Sequence, residues 1–146
     1  MHLSFLQSLD IRGGASPLPI TETQALQITG TMLGLYGAQN AFLQDLTFSR
    51  FYNSPVGDNQ RLRSVFFMLG MQIFVQCAST WAAASAGGEF ASTMGKINTL
   101  SFAGWTAYFI NSQMQGNKAG FSDSGIKEGV AVCALMAILN GLTFFM

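Results

Sequence analysis

Charge is scarce in this sequence. Only 14 of its 146 residues are Lys, Arg, Asp or Glu, 10% of the chain, where a soluble domain carries about 25%. The seven basic and seven acidic residues cancel. No cationic surplus exists to displace counterions from a nucleic acid, and that partner class is excluded. Histidine is scarcer still, with His2 alone near the start. That excludes a histidine-based catalytic triad, a two-histidine zinc site and a buried haem with histidine ligands. The three prolines, Pro17, Pro19 and Pro55, lie outside the long apolar stretches, so no proline-broken helix marks a transporter's substrate site. The length allows one domain. The lack of charge argues against a soluble enzyme, and the 49% hydrophobic content argues against a disordered tail.

What is present is a pattern in the placement of those few charges. They leave four uncharged runs, residues 23–44, 64–88, 97–117 and 129–146, of 22, 25, 21 and 18 residues. A bilayer core about 30 Å thick needs roughly 20 helical residues at 1.5 Å each. A soluble bundle would need charged residues on its outer faces, and these runs have none on any face. The expectation is an all-α integral membrane four-helix bundle over residues 21–146, preceded by an irregular N-terminal tail, residues 1–20. The first helix begins near Thr21, where Thr21 and Gln24 fit a capping box, and ends near Asp45. The second runs from near Asn59 to about Ala84, and the third from near Glu89 to about Asn111. The fourth starts after Asp123 or Ser124 and reaches the C-terminus. The tail lacks the apolar core and basic start of a signal peptide. Leu3 to Leu9 could form a short amphipathic helix lying on the membrane.

Four spans put both termini on one side. The other side then carries Arg50, Arg61, Arg63, Lys118 and Lys127 against Arg12 and Lys96, so the first and third loops face the cytoplasm, stroma or matrix. Phe48, Phe51 and Tyr52 are expected in an interfacial aromatic layer there, and Trp81 near the opposite interface. Arg63 and Glu128, at span starts beside Asp45, Arg61 and Lys127, are expected in an ion-pair cluster at the membrane edge. No carboxylate lies deep in a run, which removes the path a proton pump needs.

Within the spans the informative residues are glycines and amides. Gly30 and Gly34, extended by Gly37 and Ala41, and Gly125 and Gly129, extended by Cys133, Ala137 and Gly141, put small residues on one helix face. They predict close helix packing in spans one and four. Cys77 and Cys133 lie at depths of about 21 Å and about 9 Å from the cation-rich side at 1.5 Å per residue, too far apart for a disulfide. Gln72, Gln76, Ser79 and Ala83 share one face of span two, and Asn98, Ser101, Trp105 and Tyr108 one face of span three. Met together, they make a hydrogen-bonded seam. Its functional version is a pocket in which Gln72, Gln76 and Asn98 contact a quinone, a lipid or a pigment such as chlorophyll or carotenoid. Amide oxygens can ligate chlorophyll magnesium, although the fold requires no cofactor. Span one carries Gln24, Gln27, Gln39, Asn40 and Gln44 in different directions, which predicts burial against partner membrane subunits as well as lipid contact.

A Gly-rich first span ending in GLYGAQNAF, a loop of about 15 residues and RSVFFMLGMQIF opening the second span resemble in layout the DoxX-like group of small four-span membrane proteins. That resemblance implies a fold more than an activity. IRGGASP near the start is similar to the segment that follows the targeting region in plastid proteins of diatoms and related algae. It implies a photosystem accessory subunit in the thylakoid, distinct from the antenna family because the light-harvesting Glu and Arg signature is missing. Two classes remain. One is a non-catalytic accessory subunit of a large membrane complex, such as a photosystem–antenna supercomplex or a mitochondrial inner-membrane respiratory complex. The other is a free-standing DoxX-like protein binding a small apolar ligand such as quinone.

Overall fold

A computed structural model of the chain describes residues 18–53, 57, 59–117 and 119–146. The expected Leu3–Leu9 helix, the IRGGASP segment and Lys118 lie outside them. The described residues form five helices, α1 (Glu22–Phe42), α2 (Gln44–Phe51), α3 (Gln60–Ala86), α4 (Gly88–Met114) and α5 (Asp123–Phe144). The four long helices fall on the four uncharged runs.

Their ends follow from local chemistry. Thr21 caps α1 with the expected reciprocal box: its Oγ1 accepts from Gln24 N (3.2 Å), and its own N–H donates to Gln24 Oε1 (2.9 Å). Asn59 Oδ1 accepts from Leu62 N to start α3, and Ser122 Oγ accepts from Gly125 N to start α5. The first departure from the sequence reading is the end of span one. The helix breaks at Leu43 (φ −116°, ψ 46°), and α2 occupies what reads as the start of a loop. Thr47 Oγ1 bridges the break by donating to Gln39 O (2.8 Å). The second departure is the α3–α4 link, which is Gly87 alone. Gly87 and Gly88 both hold positive φ (67° and 60°), a conformation that suits glycine and reverses the chain in two residues.

α1 packs along α3, and α4 along α5, giving two antiparallel hairpins. α1 also touches α4 and α5, and α4 also touches α3, while no contact joins α3 to α5 among the described residues. In cross-section the four helices form a rhombus with α1 and α4 on the short diagonal and α3 and α5 at the outer corners. Only α3 and α5 are long and apolar enough to cross a membrane. α1 and α4 fall short of that measure, where four membrane-spanning helices were expected. Each diagonal helix is flanked by three long neighbours, yet α4 keeps a broad outward face that includes Trp105, Tyr108 and Ile110.

Small residues set the spacing within each hairpin, as GxxxG predicts. A Cβ at Gly30 would stand 2.7 Å from the Trp81 ring, and one at Gly34 would stand 3.4 Å from Cys77 Sγ. One at Gly125 would stand 2.6 Å from Phe51 O, and one at Gly129 2.7 Å from the Phe109 ring. The glycine face of α1 thus meets α3, and that of α5 meets α2 and α4. Trp81 lies over Gly30 in the half of the bundle that holds the start of α1 and the end of α5.

Candidate functional site

The deepest side chains of this bundle are mostly polar. Thr29, Thr80, Asn98 and Asn140, one from each long helix, are all 0% exposed. They join in two crossings. Asn140 Nδ2 donates to Thr29 Oγ1 (2.8 Å), tying α5 to α1, and to Met136 O (2.8 Å) within its own helix. Asn98 Nδ2 donates to Thr80 Oγ1 (3.2 Å), tying α4 to α3, and Gln76 Nε2 donates to Asn98 Oδ1 (3.0 Å). Thr80 Oγ1 donates to Gln76 O (2.8 Å) and closes the second group. Asn140 Oδ1 is buried without a donor among the described residues. Apolar clusters enclose this polar layer, with Leu26, Ala83, Met94 and Phe144 towards the termini and Leu33, Phe102 and Met136 towards the loops.

The expected seam between spans two and three therefore exists through Gln76 and Asn98, and it is shorter than the sequence suggested. Gln76 and Asn98 satisfy each other. Gln72 is exposed and makes no side-chain hydrogen bond among the described residues. Ser79 turns its hydroxyl back to Val75 O (2.9 Å). Trp105 and Tyr108 point outward, 43% and 47% exposed. The physical reason is the rhombus: α3 and α4 touch along only part of their length, so a shared face does not guarantee a shared interface. Of the three amides proposed as pigment or lipid contacts, Gln72 is the one that presents its donor and acceptor outward.

The sequence reading missed Thr29 and Asn140. A usable signal was there, because Asn140 is the sole amide in the run 129–146, and a lone amide in an apolar helix needs a buried partner.

Among the described residues the loop end is held by two ion pairs in place of one cluster. Arg63 Nη2 lies 2.6 Å from Asp45 Oδ1. Arg50 grips both oxygens of Glu128 (2.8 Å each), and Tyr36 donates its hydroxyl to Glu128 Oε1 (3.1 Å). Arg63 and Glu128 are thus not paired with each other, because α2 stands between the starts of α3 and α5 and supplies Arg50 and Asp45 separately. Phe48 and Phe51 are buried inside the fold at this end. Phe48 stacks on Phe66 and Tyr52, and Tyr52 on Phe121, with ring centroids 4.6–5.1 Å apart. The chain bridges Tyr52 to Phe121, with Ser122 N donating to Phe51 O (2.8 Å). Burial, and then the neighbouring Tyr108 phenol, push Tyr52 up to about 12.

The amides of α1 are largely satisfied within the chain. Gln24 caps the helix, Asn40 Nδ2 donates to Tyr36 O (2.8 Å), and Gln44 Nε2 donates to Arg63 O (2.8 Å). Gln39 Nε2 is buried without an acceptor among the described residues, and Gln27 is exposed. Partner burial is needed for fewer of them than their directions suggested.

Cys77 and Cys133 are both free. Cys77 Sγ contacts Gly30 O (3.1 Å), whereas Cys133 lies on α5. Alkylation of the denatured chain without reductant is expected to label both thiols, and labelling of neither would contradict this. No group of three or more His, Cys, Asp or Glu that could hold a metal ion occurs among the described residues. No family model, curated protein or solved structure matches this chain.

Proposed function

We propose that this chain is a membrane-embedded four-helix accessory subunit that acts through helix contacts within a larger membrane complex. The observation that carries the membrane part is the inverted polarity of the bundle. The most apolar windows of α3 and α5 are only 17% and 28% buried, whereas Asn98, Asn140, Thr29 and Thr80 are enclosed. A soluble bundle hides its apolar helices; a bilayer reverses the preference, because lipid solvates Leu and Val and does not solvate an amide. Leu35, Met68, Val75, Leu100 and Leu135 are each 59–70% exposed, which in water would form large adhesive patches. The long helices have 21, 27, 27 and 22 residues, about 32–40 Å at 1.5 Å per residue, enough to span the hydrocarbon layer.

The subunit part is supported by how the chain spends its polar groups. The buried amides and hydroxyls of the central layer hydrogen-bond mainly to one another and to backbone carbonyls, and the two ion pairs close the loop end. These are the devices of a scaffold. Outward amides such as Gln27 and Gln72 are left for other molecules.

Alkaline extraction of membranes followed by solubilisation in a mild detergent and native electrophoresis tests both parts. The expected result is retention in the membrane pellet, then migration with a particle far larger than a 146-residue chain. Recovery in the soluble fraction would overturn the membrane reading. Migration as a small particle carrying quinone would favour the free-standing ligand-binding alternative. Chlorophyll or carotenoid in the large particle would extend the reading to a thylakoid photosystem–antenna supercomplex.

A further inference from the structure

We infer that two copies of this chain pair in the membrane along the outward face of α3, with Gln72 of one copy hydrogen-bonded to Gln72 of the other. The inference rests on the membrane reading above and goes beyond it by naming a partner and a face.

The face has a regular pattern. Val65, Met68, Gln72, Val75, Ser79 and Ala82 follow one another at alternating steps of three and four residues. These steps average 3.5, the repeat by which two helices share a continuous left-handed seam. Val65, Met68 and Val75 are 59%, 70% and 66% exposed, and α3 stands at an outer corner of the rhombus, where no other part of the described chain covers them. Ser79 and Ala82 are small, which lets two backbones approach at that end.

Gln72 selects the occupant. It lies 12 residues from the start of α3 and 14 from its end, about 18–21 Å from either terminus at 1.5 Å per residue, so it sits near the bilayer midplane. An amide facing lipid there leaves its N–H and C=O groups unsatisfied, and acyl chains offer neither donor nor acceptor. A second copy offers both at the required depth. Copies of one chain share an orientation in the membrane, so a two-fold axis along the bilayer normal brings each residue of the seam opposite itself. A carboxamide is self-complementary: each Gln72 donates through Nε2 and accepts through Oε1, so the pair closes reciprocally. A single polar residue at one seam position also fixes the register. The outward face of α5, with Ala131, Leu135 and Ile138, carries no such group and is left to lipid.

The test is oxidative cross-linking of the full chain in lipid vesicles. Met68→Cys and Val75→Cys variants are each expected to form a disulfide-linked dimer. The unsubstituted chain, with Cys77 and Cys133 turned towards the bundle, and a Leu135→Cys variant are expected to pair without becoming disulfide-linked. Adding Gln72→Leu should weaken dimerisation roughly three- to thirtyfold, the range for one interhelical amide contact in a membrane, and Gln72→Asn should restore part of it. Equal cross-linking at Leu135→Cys, no cross-linking at positions 68 and 75, or indifference to Gln72→Leu would overturn the pairing. So would capture of a different chain by Met68→Cys in native membranes. Alkaline extraction of the same variants separates the two readings. A chain that stays in the membrane without cross-linking refutes only the pairing, and a chain that leaves it refutes the membrane reading itself.

Discussion

Gly70→Ala is expected to destabilise the bundle by about 3 kcal/mol, the upper part of the range for overpacking. A Cβ at this position would stand 2.7 Å from Ala41 Cβ and 2.8 Å from Gly37 O. Both belong to rigid parts of α1, a backbone carbonyl and a side chain with no rotamer to change, so the clash is relieved only by separating α1 from α3. Gly34→Ala on the same interface is the control. Its nearest neighbour would be Cys77 Sγ at 3.4 Å, an ordinary contact, and the expected change is within about 0.5 kcal/mol. Unfolding in mixed micelles of a mild and a denaturing detergent, followed by circular dichroism, measures both. Equal effects of the two substitutions would mean that the α1–α3 distance is set by something other than the Gly37–Gly70–Ala41 contact.

The second large effect is expected at Asn98. Asn98→Leu removes the acceptor of Gln76 and the donor to Thr80 together. It strands the Gln76 amide in a partly buried position. Leaving a buried donor without a partner costs roughly 1–3 kcal/mol, whereas removing both partners of a pair is nearly neutral. Asn98→Leu alone should therefore lower stability by about 2 kcal/mol, and the double variant with Gln76→Leu should recover most of that loss. The same detergent titration reads the cycle. A double variant as unstable as the sum of the two single ones would show that the amides act independently and that the hydrogen bond between them carries little energy.

The contrast between these two sites shows what was legible in the sequence. Charge spacing located the four long helices because the uncharged runs between the few charged residues match the helices in place and length, and Thr21–Gln24 gave the first cap as expected. The amide pair Gln76–Asn98 was also legible, since the two residues lie at matching distances from the turn at Gly87. Gly70 was not. It is a lone glycine in RSVFFMLGMQIF, and small-residue motifs mark close approach only when both small residues lie on one helix. Here the complementary ones, Gly37 and Ala41, are supplied by α1. Nor was the helix α2 legible, because Gln44–Phe51 is only eight residues long and neither a proline nor a glycine marks the break at Leu43. Its position is set by tertiary contacts: the Thr47 bond across the break, the Arg50–Glu128 pair and the packing of Phe48 on Phe66. Pairing of helices, as opposed to their existence, depends on contacts between distant segments, and a single sequence does not encode which faces meet.

The two hairpins share a feature that bears on the order in which a membrane-embedded chain would be built. In each, only the later member is long and apolar enough to cross a membrane, α3 after α1 and α5 after α4. On the membrane reading proposed above, a helix such as α1, with Gln24, Gln27 and Gln39 along its length, would gain little by partitioning into lipid alone. It would become stable there when α3 arrived and covered its glycine face. The order of translation would then make each hairpin the unit of insertion, with the more apolar helix carrying its predecessor across. The turn at Gly87–Gly88, too short to form a separate translocated segment, lets the second hairpin follow directly on the first.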